Sequence, residues 1–254
     1  MRHRTLVEVD QHQPPIPASL DSAGRARRRV LALFLPIAAV LYIGGEALSP
    51  KGTDQLITTV ATALKVLPIA AHHSAQLYLA SGLVLLGLGA LAVSYAAIAT
   101  LVRNRGSALA TVAALFGGLG AFCGAIVNVL VYPSLAAAAT AHVSPGAAAK
   151  LLTTASNSRF GQGFTYFYFA SEFLAPLLMA IALWRSRNVP RWLVALFFAG
   201  LEAAQLMGSY GPIVVLYMLP FAAAMFLLAA RIWPPAAQPA SHRQEPATMP
   251  VSSP

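Results

Sequence analysis

The chain has 254 residues, 57% of them hydrophobic and only 10% charged, with a mean hydropathy of +0.66. A soluble domain carries roughly 25% charged residues, so this composition excludes an ordinary soluble enzyme and points to a polytopic protein with the bilayer as its solvent. The formal net charge is +9, but the basic residues are scattered over short connections, which argues for a topology signal and against a nucleic-acid partner.

Residues 1–29 hold Pro, Gln and Arg with little apolar content and read as a disordered tail. The run "RARRRVLALFLPIAAVLYIGGEA" opens the first span, 30–48. Its apolar stretch exceeds the roughly 7–15 residues of a signal peptide, and the tail before it is long, so the reading is a retained span. Next, "TDQLITTVATALKVLP" sets Ile57, Val60, Leu64 and Leu67 on one helical stripe, with Thr58, Thr59, Thr62 and Lys65 largely opposite. That pattern predicts an amphipathic helix capped by Thr53 or Asp54 and ended by Pro68. Two further spans follow at 76–101 and 107–132. "SPGAAAKLLTTAS" then predicts a second short outer helix, with Ser144 as cap and Pro145 at its first position. The last three spans fall at 164–184, 191–210 and 212–232, the final pair joined by the tight turn "SYGP". Residues 233–254 are rich in Pro and read as a second disordered tail. The expectation is an all-α protein of three parts: tail 1–29, a six-span membrane domain 30–232 with short outer amphipathic helices, and tail 233–254.

Orientation follows from charge. Of the 17 Lys and Arg residues, only Lys51, Lys65, Lys150 and Arg159 fall in outer loops if both termini are cytoplasmic, so the positive-inside rule places both termini inside. Trp184, Trp192 and Trp233 sit at the inner ends of spans, while Tyr132, Phe164, Tyr166 and Tyr210 sit at outer ends, as interfacial belts do. The richness in Ala, Arg and Pro resembles a high-GC bacterium, which implies a bacterial inner membrane.

Three of the eight acidic residues, Glu46, Glu172 and Glu202, lie inside predicted spans, where ionisable groups normally face the bundle interior or a wet cavity. At 1.5 Å per residue, Glu172 and Glu202 both lie roughly 12 Å below the outer edge. Asn128 sits toward the outer end of its span. Helical spacing groups Glu202, Gln205 and Ser209 on one face, Tyr168, Ser171, Glu172 and Ala175 on another, and Tyr42 with Glu46 on a third. Gly117, Gly120 and Gly124 align with Asn128 in a small-residue groove suited to close helix packing. The candidate site is therefore an outward-facing polar cavity of Glu172, Glu202, Gln205, Asn128 and Glu46 that binds a cation or small ligand. The competing reading is that these carboxyls are protonated and hydrogen-bonded between helices.

His72, His73 and His142 are the metal-ligand candidates, because imidazole joins carboxylate readily at zinc. Their spacing follows no HExxH pattern, and interfacial solvated histidine is the simpler reading. Walker A, GxGxxG and GxSxG motifs are missing, and one cysteine, Cys123, makes no intrachain disulfide. The sequence names no cofactor. The layout of a first span, an outer amphipathic segment, paired spans and the turn "WRSRNVPRW" (Trp184 to Trp192) resembles six-span bacterial membrane families of unknown function, over about residues 30–232. That resemblance implies no activity and no site residues. Three functions fit the chain: a non-enzymatic membrane protein with a ligand or cation cavity, including a transporter; a membrane-embedded metal-dependent enzyme using the outer Glu and His residues; or a structural or regulatory partner subunit. The spans form two groups of three in opposite orientation, as inverted repeats require, without sequence symmetry between them.

Overall fold

The computed structural model describes residues 22–53, 57–102, 105–207 and 211–233. These form eight helices: α1 (Ser22–Leu48), α2 (Val60–His72), α3 (Ser74–Ala99), α4 (Ser107–Thr140), α5 (Pro145–Ser156), α6 (Arg159–Ser186), α7 (Arg191–Met207) and α8 (Val214–Ile232). Five of them, α1, α3, α4, α6 and α8, are long and apolar enough to cross a membrane. The 191–210 segment corresponds to α7, described from Arg191 to Met207, and residues 208–210 lie outside the described residues. The predicted disordered tails lie outside the described residues, except that α1 already begins at Ser22 and Trp233 caps α8. Asp54 and the start of the "SYGP" turn also lie outside them.

The long helices pack in chain order: α1 on α3, α3 on α4, α4 on α6, α6 on α7 and α7 on α8, and α8 returns to α1. Contacts between their ends fix the alternation of direction. At one end Arg29 lies 5.9 Å from the ring centre of Trp233, joining the start of α1 to the end of α8. The Asn188 amide donates to the Leu101 carbonyl at 2.9 Å, tying the α6–α7 turn to the end of α3. At the other end Gly211 N–H donates to the Glu46 carbonyl at 3.2 Å. The arginines Arg25, Arg27, Arg28, Arg29, Arg105, Arg185, Arg187, Arg191 and Arg231 thus gather at one end of the bundle.

The main core fills the ring with Leu35, Leu88, Tyr95, Met179, Phe197 and Phe221 among others. A second, smaller core joins α2, α3, α4 and α5 through Val66, Leu67, Leu77, Leu135 and Leu152. It exists because α4 does not stop near Tyr132 but runs through Pro133 to Thr140. Pro133 has no N–H to give the Val129 carbonyl, which would cost a helix its bond there. The Ser134 hydroxyl donates to that carbonyl at 3.3 Å instead, the kind of substitution that lets membrane helices keep a proline.

The first short helix, α2, differs from its sequence expectation. Thr59, not Thr53 or Asp54, caps it through a bond from Thr62 N–H, and Pro68 lies inside it. The Thr53 hydroxyl is spent on the Pro50 carbonyl at 2.7 Å. Its buried face is Ala63, Val66, Leu67 and Ala70, while Val60 and Leu64 are exposed. The expected stripe therefore splits, with Ile57 and Leu67 buried and Val60 and Leu64 exposed. The second short helix, α5, starts with Ser144 accepting from Ala147 N–H at 3.3 Å and Pro145 in its first turn, as the sequence indicates.

Candidate functional site

The polar centre of the ring is built by four helices. Tyr42 comes from α1, Tyr95 from α3, and Tyr168, Ser171 and Glu172 from α6, while α4 contributes a glycine face. These residues line a cavity of about 20 Å³, room for about one water molecule. The Tyr42 hydroxyl donates to Glu172 Oε1 at 3.5 Å. The Tyr168 hydroxyl is hydrogen-bonded with both Glu172 and Tyr42. A carboxyl and two phenols from opposite sides of the ring therefore form one connected group.

The glycine face makes this approach possible. A side chain at Gly117 would run into the Tyr95 ring, one at Gly120 into Ser171, and one at Gly124 would stand 2.5 Å from the Tyr168 ring. The groove expected for close helix packing is thus filled by two tyrosines and a serine of the site. Ser171 is buried, and its hydroxyl donates to the Tyr168 carbonyl at 2.7 Å.

The other residues singled out in the sequence separate from this centre. Asn128 is buried and accepts a hydrogen bond from Ser81 of α3, so its amide joins two helices and does not line the cavity. Glu46 lies a turn beyond Tyr42, and it too is no part of the lining. Its carbonyl binds the Gly211 N–H. Glu202 follows the lining residue Leu201, and its Oε1 is buried with no hydrogen-bond partner among the described residues. Tyr95 lies within electrostatic range of both Glu172 and Glu202. The Gln205 side chain lies outside the described residues. Tyr42 and Tyr168 were legible as polar neighbours on helical stripes. Tyr95 carried no such signal, because an aromatic within an apolar span looks like any packing residue.

His72 ends α2, His73 follows it, and His142 lies before α5, all three exposed. Among the described residues no three His, Cys, Asp or Glu side chains come together to hold a metal. Cys123 is buried and unpaired.

Comparison with known proteins finds no match for this chain among protein families, curated proteins or solved structures.

Proposed function

We propose that this is a non-enzymatic bacterial inner-membrane protein whose cavity at Glu172 binds a proton or a small monovalent cation, as part of a transport or sensing cycle. The observation that carries this reading is the carboxyl of Glu172, held inside the helix ring by Tyr42 and Tyr168 beside a cavity of about 20 Å³. Among the described residues, no Lys or Arg lines that cavity. A carboxyl so placed cancels its charge with a proton or a cation. The cavity volume favours so small an occupant over an organic ligand. Phenol and serine oxygens supply neutral ligands of the type a hard cation takes.

The proposed topology has six spans, with α7 as the sixth and both termini cytoplasmic. Two features support it: α7 closes the ring between α6 and α8, and the arginines gather at the end of the bundle that also carries both termini of the described chain. Glu202 is assigned a secondary place, as the second carboxyl flanking Tyr95.

The test is thermal stability in detergent against increasing Na⁺, K⁺ and Li⁺, paired with infrared difference spectra of the carboxyl band on cation addition and on acidification. The wild type should show a cation- or proton-dependent carboxyl signal that Glu172→Gln removes. Identical spectra and identical cation responses in the two proteins would refute the reading.

A further inference from the structure

At the opposite end of the molecule from α2 and α5, a cleft opens where α1 begins and α3 and α8 end. It has a volume of about 260 Å³ and is lined by Arg28, Thr100, Leu101, Asn188, Arg231 and Ile232. We infer that this cleft is a phosphate-recognition site that takes the headgroup of an anionic phospholipid, with Arg28 and Arg231 as its two charged donors.

Charge is the first support. Two guanidinium groups from different helices face one cleft, and the described residues at this end of the bundle include no carboxylate to neutralise them. Arg27 and Arg29 on α1 and Arg185, Arg187 and Arg191 around the α6–α7 turn add further positive charge. Guanidinium is the side chain best matched to phosphate, through paired N–H donors. Local hydrogen bonding is the second. The ends of α3 and α8 present carbonyls that would oppose an anion, but the Asn188 amide covers the Leu101 carbonyl at 2.9 Å and Trp233 N–H covers the Ala229 carbonyl at 2.9 Å. Asn188 keeps a second amide hydrogen. The Thr100 hydroxyl donates to the Ala97 carbonyl at 2.6 Å, which covers a further carbonyl at the end of α3.

Position decides between a lipid and a free ion. Leu101 and Ile232 give the cleft an apolar wall, which a glycerol backbone contacts and an inorganic ion does not. Trp233 and Trp184 stand exposed beside it, held by Arg29 at 5.9 Å and Arg191 at 5.0 Å. Tryptophans at this level mark the headgroup region of a bilayer, and basic pockets between spans at that level bind anionic headgroups. The cleft is also far larger than a single water or small ion requires. It lies apart from the Glu172 cavity and does not depend on what that cavity holds.

The experiment uses the full-length protein in detergent and native mass spectrometry with phosphatidylglycerol, phosphatidylcholine or inorganic phosphate as the probe. Phosphatidylglycerol should bind in preference to phosphatidylcholine, and Arg28→Gln and Arg231→Gln should each weaken it about tenfold. Thermal denaturation of both variants without lipid reports whether they fold. If either does not, Arg28→Lys and Arg231→Lys, which keep the charge and lose the paired donors, replace them and should weaken binding severalfold. Equal losses from Arg27→Gln and Arg185→Gln, which lie outside the cleft, would mean diffuse attraction and overturn the site. Binding of inorganic phosphate as tight as that of the lipid would overturn the lipid assignment.

Discussion

Glu172 and Glu202 are chemically identical, yet their surroundings differ. Glu172 accepts from Tyr42 and exchanges hydrogen bonds with Tyr168, whereas Glu202 Oε1 is buried without a partner among the described residues. Removing an acceptor from a connected buried group leaves its former donors unsatisfied, at about 1–3 kcal/mol, while removing an unpartnered polar atom relieves a desolvation cost. Glu172→Leu should therefore lower thermal stability in detergent by about 1–3 kcal/mol, and Glu202→Leu should be neutral or stabilising. Equal losses from the two would show that Glu172 gains nothing from the tyrosines. A double-mutant cycle of Tyr42→Phe with Glu172→Gln should depart from additivity by about 0.5–3 kcal/mol, since the two side chains touch.

At the scale of the helix, α4 carries the device that lets the site form. Its glycines at 117, 120 and 124 face Tyr95, Ser171 and Tyr168, while at Gly118 a Cβ would meet nothing within 4 Å. In a helix interior Gly→Ala gains about 0.5–1 kcal/mol when there is room. Overpacking a tight contact costs about 1–3 kcal/mol. Gly118→Ala is thus expected to be neutral or stabilising, and Gly124→Ala to destabilise by about 1–3 kcal/mol and disturb the Tyr168 contact. Circular-dichroism melts of the two variants side by side check this, and a shared sign would remove the special status of the glycine face. The same helix shows why a proline is a poor boundary marker in a membrane. Pro68 reads as an end of the first short helix, yet it lies within α2, as Pro133 lies within α4.

Across the whole molecule, the ring order and the clustering of arginine at one end make topology the property most open to direct test. With Cys123 replaced by Ala, a cysteine at Lys51 or His142 should react with an impermeant thiol reagent in intact cells. One at Arg27 or Arg185 should react only after the cells are opened. The contrast reports sidedness, since Lys51, His142 and Arg185 are all exposed and Arg27 stands in the first turns of α1. Labelling of Arg27→Cys from outside would reverse the proposed orientation.

The sequence by itself determined the helical class, the membrane setting and the capped start of α5. These are local or one-dimensional quantities: length of apolar run and cap chemistry. Tertiary structure alone decided which polar groups meet. Asn128 turned to Ser81, Glu46 stayed out of the cavity lining, and Glu172 found Tyr42, a residue 130 positions away in the chain. Periodicity gives each helix a face but no rotation relative to its neighbours. That rotation is set by which small residues admit which large ones, here by Tyr95, Ser171 and Tyr168 seating against Gly117, Gly120 and Gly124. The arginines divide the same way. Their common end follows from counting charges along the chain, but the pairing of Arg28 with Arg231 across one cleft arises only because α8 closes the ring onto α1.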